Sequence, residues 1–213
     1  MTNAALPLRI ELRAMLALAA PLAAANLANM AMGITNAVMV GHLGGAALAA
    51  AGLGSGIYFT LVMICQGVLT AVSPLAAHAI GGGDRIAAGR FAGAGLVLAA
   101  LLAVPVLQLL TIAPLLLGAI GYDPTLTDNI AGYLGAIRWG APAFLVSAVL
   151  RAMLSATGRP RVIMVVMLCG IPANAALNWV LIFGHLGFPT LGIAGSGGAT
   201  AAIQWTTMLI VAG

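Results

Sequence analysis

Asn174 and Asn178 are the polar residues whose spacing says most in this apolar chain. Four residues apart, they place two amides on one face of a helix. Each amide offers a carbonyl oxygen, which can coordinate a hard cation, and an NH2 group that donates. Buried amides need partners. Two stacked beside Pro172 exceed what packing requires, and they read as a polar patch in a cavity. The plainer reading is an interhelical clamp, worth about 0.6 kcal/mol per bond in a membrane. Thr200 and Gln204 repeat the spacing and can face the same cavity from the next helix. Asn36 lies in Ile34–Gly45, ITNAVMVGHLGG, near the exit from the first apolar run. It either caps that run at headgroup level or faces a cavity as a ligand for a cation or substrate.

Arg138 and Arg151 fall inside an apolar stretch, where a charge is a functional hypothesis by default. Arg151 is near one end of its helix and can snorkel to the interface. Arg138 is within a turn of Tyr133 and Trp139, so interfacial anchoring and a cavity role are both open. His42, His78 and His185 are scattered, without a second ligand at metal spacing. Cys65 and Cys169 sit in apolar runs and read as reduced, buried small hydrophobes. Gly81-Gly82-Gly83-Asp84 lacks the GK[ST] ending of a phosphate loop and reads as a connector. Nothing pairs a nucleophile with a base, so an enzyme is the least favoured class.

The elements that must hold these residues are membrane helices. Of 213 residues, 62% are hydrophobic and 6% charged, where a soluble domain is about a quarter charged. Residues 15–83 and 162–213 carry no Asp, Glu, Lys or Arg. A spanning helix needs roughly 20 apolar residues. Expected spans run over about residues 15–40, 46–79, 87–117, 129–154, 162–183 and 194–213, after a short polar lead at Thr2–Arg13. The second is too long for one straight span and should break near Ser73-Pro74 or extend past the bilayer. Pro105 and Pro114 should kink or end the third. Thr125–Asp128 offers caps for the fourth. Gly52/Gly56 and Gly89/Gly93 are small-xxx-small pairs that permit close backbone approach. The fold class is therefore an all-α integral membrane protein with six transmembrane helices.

The net charge of +4 comes wholly from arginine. With a cytoplasmic N-terminus, Arg9, Arg13, Arg85, Arg90, Arg151, Arg159 and Arg161 fall on the cytoplasmic side, and the opposite loops carry only Asp123 and Asp128. That pattern explains the basic balance better than nucleic acid, since no basic stripe is interleaved with aromatics. The last span reaches Gly213 without a flanking basic residue, so the chain is expected to stop short of its natural end. GHLG at Gly41–Gly44 recurs at Gly184–Gly187, a weak internal echo.

Six ordered blocks carry a family resemblance: Pro21; Met39–Gly56, MVGHLGGAALAAAGLGSG; Ser73–Arg85, SPLAAHAIGGGDR; Leu150–Arg161, LRAMLSATGRPR; Asn174–Gly184, NAALNWVLIFG; and Phe188–Ala201, FPTLGIAGSGGATA. Over nearly its whole length the chain resembles the multidrug and toxic compound extrusion (MATE) transporters of the NorM-like branch. The resemblance implies twelve helices in two six-helix lobes around a cavity that opens alternately to either side. Residues 1–213 would be the first lobe, and the second comes from the same gene or a partner chain. Amphipathic organic cations or drugs would leave in exchange for Na+ or H+, with no cofactor, across a bacterial inner membrane. Asn36, Asn174, Asn178 and Thr200 would bind substrate or cation, with any Na+ at the three asparagines, and Pro21 would bend the first helix. Asn36 departs from the family, whose residue there is usually Asp. An amide can coordinate but cannot take up a proton, so a coupling carboxylate would belong to the second lobe. The rivals are a lipid-linked carrier or flippase of related fold, which predicts basic residues facing the cavity, and a truncated half that inserts without transporting.

Overall fold

The computed structural model describes residues 8–212. They form α1 (Leu8–Gly41), α2 (Gly45–Leu69), α3 (Val72–Gly81), α4 (Arg85–Ile120), α5 (Pro124–Ile137), α6 (Gly140–Ala156), α7 (Pro160–Phe183) and α8 (Gly192–Ala212). Residues 2–7 of the expected polar lead, and Gly213, lie outside the described residues. The remainder of that lead, including Arg9, Glu11 and Arg13, is already helical.

Four segments are long and apolar enough to cross a membrane: Met15–Gly41, Gly45–Gly81, Arg85–Ile120 and Arg161–Phe183. A fifth is the pair α5 and α6, which meet at 46°. The sixth expected span is α8. It has 21 residues, but Ser196, Thr200, Gln204, Thr206 and Thr207 dilute its apolarity. It sits in the bundle by packing, with Ile193, Ala199, Ala201 and Ile203 buried.

The two interruptions share one cause. A proline at position i leaves the carbonyl at i−4 without its helical donor. Pro142 does this to Arg138, whose carbonyl instead accepts from Ala141 N–H at 3.0 Å. Pro74 does it to Thr70, whose carbonyl accepts from Ser73 N–H at 3.2 Å. The tighter turn bends the chain. The break in the second span is therefore at Thr70–Ala71, one turn before the proline. The α4 helix, in contrast, runs through both Pro105 and Pro114 to Ile120, three residues past its expected end.

Loops are closed by caps. Asp84 accepts from Ala87 N–H at 2.8 Å and starts α4. Asp123, rather than Thr125–Asp128, caps α5 by accepting from Leu126 N–H at 3.2 Å, with Pro124 at the first helical position. The connection after α7 covers residues 184–191, because α8 begins at Gly192 and not at 194.

The main core joins α2, α4, α5 and α6 through Tyr58, Leu110, Ile130, Leu134 and Leu145. A smaller cluster ties α1 to α7 and α8 through Ala25, Ala28, Met32, Ile163, Met167 and Ile203. Close helix approach falls at other glycines than expected. A Cβ on Gly52, Gly56, Gly89 or Gly93 would meet nothing within 4 Å. One on Gly197 would lie 2.6 Å from the Tyr133 carbonyl oxygen, and one on Gly195 would lie 2.5 Å from that of Leu181. These two glycines let α8 press its backbone against α5 and α7.

Candidate functional site

Along α1, Leu22, Asn26, Asn29, Gly33 and Asn36 follow one another at four- and three-residue steps, which makes one helical stripe. That stripe faces a cavity of about 470 Å³ lined by α1, α2, α3, α6, α7 and α8. Its size suits a drug-sized ligand. Most of its wall is apolar, with Met30, Met32, Met63 and Met167 among the lining residues. Methionine is unbranched and polarizable, so such a wall adapts to varied shapes.

The expected polar residues converge at one part of this wall. Asn178 Nδ2 donates to Asn36 Oδ1 at 2.8 Å, to the Asn174 carbonyl at 2.8 Å and to Asn174 Oδ1 at 3.1 Å. Asn36 Nδ2 donates to Thr200 Oγ1 at 3.1 Å, and Thr200 Oγ1 donates to the Ser196 carbonyl at 3.1 Å. The bonds run in one direction from α7 through α1 to α8. Three acceptors surround Asn178 Nδ2, which fixes the amide orientation. Asn178 Oδ1 is left buried and without a partner. Asn36 Oδ1 and Asn174 Oδ1 each accept one bond and keep a second lone pair, so all three amide oxygens have capacity for a cation or a donor.

Asn36, Asn174 and Thr200 line the cavity, whereas Asn178, 0% exposed, stands behind Asn36 and braces it. Asn36 is not a terminal cap, because α1 continues to Gly41. Gln204 also reaches the cavity. Pro21 is buried in a continuous α1, one residue before the lining begins at Leu22.

Of the two roles open to Arg138 the structure shows anchoring, whereas Arg151 departs from its expected snorkelling. Arg138 Nη1 donates to Thr111 Oγ1 at 3.0 Å, and its Cζ is 5.3 Å from the Trp139 ring centre. It lies outside the cavity lining and anchors the α5–α6 bend. Arg151 lines the cavity. It reaches back to donate to Ser147 Oγ at 2.9 Å, away from the nearer helix end, so it does not snorkel. Sequence reasoning also missed Asn26, Asn29 and Gln66. The stripe on α1 was the available signal for the first two. Cys65 is buried as expected, but Cys169 is exposed on the bundle's outer face.

The MatE family model matches residues 21–180. A probable multidrug resistance protein NorM of Burkholderia mallei is 42% identical over 193 residues, 90% of this chain and 41% of that protein. The multidrug resistance protein NorM of Burkholderia vietnamiensis is 41% identical over 191 residues, 89% of this chain and 41% of that one. An outward-facing multidrug resistance MATE family transporter shares the fold at a TM-score of 0.83 and 24% identity, over 93% of this chain and 44% of its own. The chain thus spans about two-fifths of the length of the curated relatives it matches.

Proposed function

The chain belongs to the MatE family, and on that premise we propose that it forms the first six-helix lobe of a multidrug efflux antiporter. The observation that carries this reading is the amide relay at the wall of an apolar cavity, tying α1 to α7 and α8. Amphipathic organic cations or drugs occupy the methionine-rich part of the cavity. The amide oxygens of Asn36, Asn174 and Asn178 replace water around a cationic group or a Na+ ion. A second six-helix lobe, from the same gene or a partner chain, closes the cavity and opens it alternately to either side. Pro21 lets the outer part of α1 bend during that change. The protein sits in a bacterial inner membrane with its N-terminus in the cytoplasm.

The relay joins amides and a hydroxyl, so it carries no proton at physiological pH. Coupling through this lobe is therefore to Na+, and a proton-coupled cycle draws on a carboxylate of the second lobe. The test is efflux of an organic cation such as ethidium from cells producing the full-length protein, with the Na+ and H+ gradients collapsed separately. Efflux that survives the loss of both gradients overturns antiport. A half that only inserts gives no efflux under any gradient.

A further inference from the structure

The charge on the cavity wall points to a substrate feature that the amide relay does not address. Among the described residues, Arg151 is the only charged one lining the cavity; no described Asp, Glu or His joins it there. Its guanidinium is held in place. Nη1 donates to Ser147 Oγ at 2.9 Å, and the Ser147 hydroxyl, 0% exposed, donates on to the Phe144 carbonyl at 2.8 Å. The Cζ atom lies 5.5 Å from the Phe144 ring centre, within cation–π range. The bond to Ser147 uses one of five N–H donors. The side chain is thus tethered at Nη1, and its other N–H donors remain on a residue that lines the cavity. A carboxylate or phosphate fits such a planar fork with two parallel bonds. Gln66, Ser73 and Ser155 line the same cavity and are neutral groups available to its remaining oxygens.

We propose that Arg151 is an anion subsite: it receives the acid group of an amphiphile whose apolar body rests on the methionine wall. This rests on reading the cavity as the transport cavity, and it extends the substrate class to amphiphiles bearing an acid, with or without a cationic group. The acid belongs either to a soluble compound or to the headgroup of an anionic lipid. Arg151 and the amide relay then divide the work, one taking negative charge and the other positive.

The experiment uses the full-length protein in phosphatidylcholine nanodiscs. Dansylglycine and its methyl ester share one fluorescent body and differ by the acid, so their affinities are compared directly. The wild type should bind the acid at least about tenfold more tightly. Arg151→Gln should abolish the preference, and Arg151→Lys should keep part of it, having the charge without the fork. Equal binding of acid and ester by the wild type overturns the subsite, and this needs no variant to fold. A preference that persists in Arg151→Gln, with unchanged thermal stability, also overturns it. Competition by added phosphatidylglycerol identifies a lipid headgroup as the source of the acid; its absence identifies the soluble compound. Ethidium efflux by the wild type separates the two readings. Efflux without acid preference removes the subsite and leaves the transporter, whereas absence of both removes both.

Discussion

At the scale of single residues, Asn178 is the hub of the relay and the cavity-lining Asn36 is its dependent. Replacing Asn178 by alanine removes three donor contacts and strands Asn36 Oδ1 and Asn174 Oδ1. At about 0.6 kcal/mol per interhelical bond, plus the stranded acceptors, the loss is about 1–2 kcal/mol. Asn178→Ala should therefore lower the midpoint of unfolding in detergent and reduce efflux while the protein is still produced. Unchanged efflux with lowered stability would reduce the pair to a clamp. Asn36→Asp asks the complementary question. It adds an acid that is charged above its pKa and neutral below it, beside the same Asn178 donor. Wild-type efflux should be flat in pH as far as this lobe is concerned. The variant should gain or lose rate between about pH 5 and 8, because a carboxyl in an apolar wall titrates above its usual range. A profile identical to that of the wild type would place the position outside the coupling path.

At the scale of elements, the helices are shaped by where prolines leave carbonyls and where glycines admit backbones. Pro142 makes the α5–α6 bend by freeing the Arg138 carbonyl, and Trp205 Nε1 then donates to the neighbouring Trp139 carbonyl at 2.9 Å. Pro142→Ala restores a helical donor and should straighten the pair. Spin labels at Asp128→Cys and Ala156→Cys, with Cys65 and Cys169 replaced by serine, should report a longer distance. An unaltered distance would show that the neighbours, rather than the proline, impose the bend. Gly197 has the opposite role. An added methyl meets the Tyr133 carbonyl oxygen at 2.6 Å, whereas on adjacent Gly198 it meets Leu181 Cδ1 at an ordinary 3.9 Å. Gly197→Ala should thus cost about 1–3 kcal/mol of stability, with Gly198→Ala near neutral. Equal effects of the two would argue that α8 does not press on α5 as closely as described.

At the scale of the whole molecule, arginine placement predicts an orientation of the bundle that labelling can test. A cytoplasmic N-terminus puts Gly82 inside the cell and Tyr122 outside. In the background without Cys65 and Cys169, a membrane-impermeant maleimide should label Tyr122→Cys in intact cells and spare Gly82→Cys. The reverse pattern would invert the assignment. The bundle also explains why an apolar exterior persists. Leu101, Leu115, Ile120 and Leu209 stay exposed because lipid, rather than protein, is the solvent they face.

The amino-acid sequence by itself determined the all-helical membrane class, the order and approximate bounds of the spans, and the family. These are local properties, since apolar length, turn residues and ordered motifs act within a few tens of residues. It also placed Asn174 and Asn178 on one face, because i, i+4 spacing is a property of one helix. Only the tertiary structure decided that Asn36 meets that face and that Thr200 meets Asn36, across sequence separations of 142 and 164 residues. It decided too that Asn178 stands behind the wall, and that Arg151, not Arg138, enters the cavity. A side chain on a helix points to a compass direction that spacing defines only relative to its own helix. Which direction is inward depends on the neighbours, and those are set by long-range packing at positions such as Gly195 and Gly197.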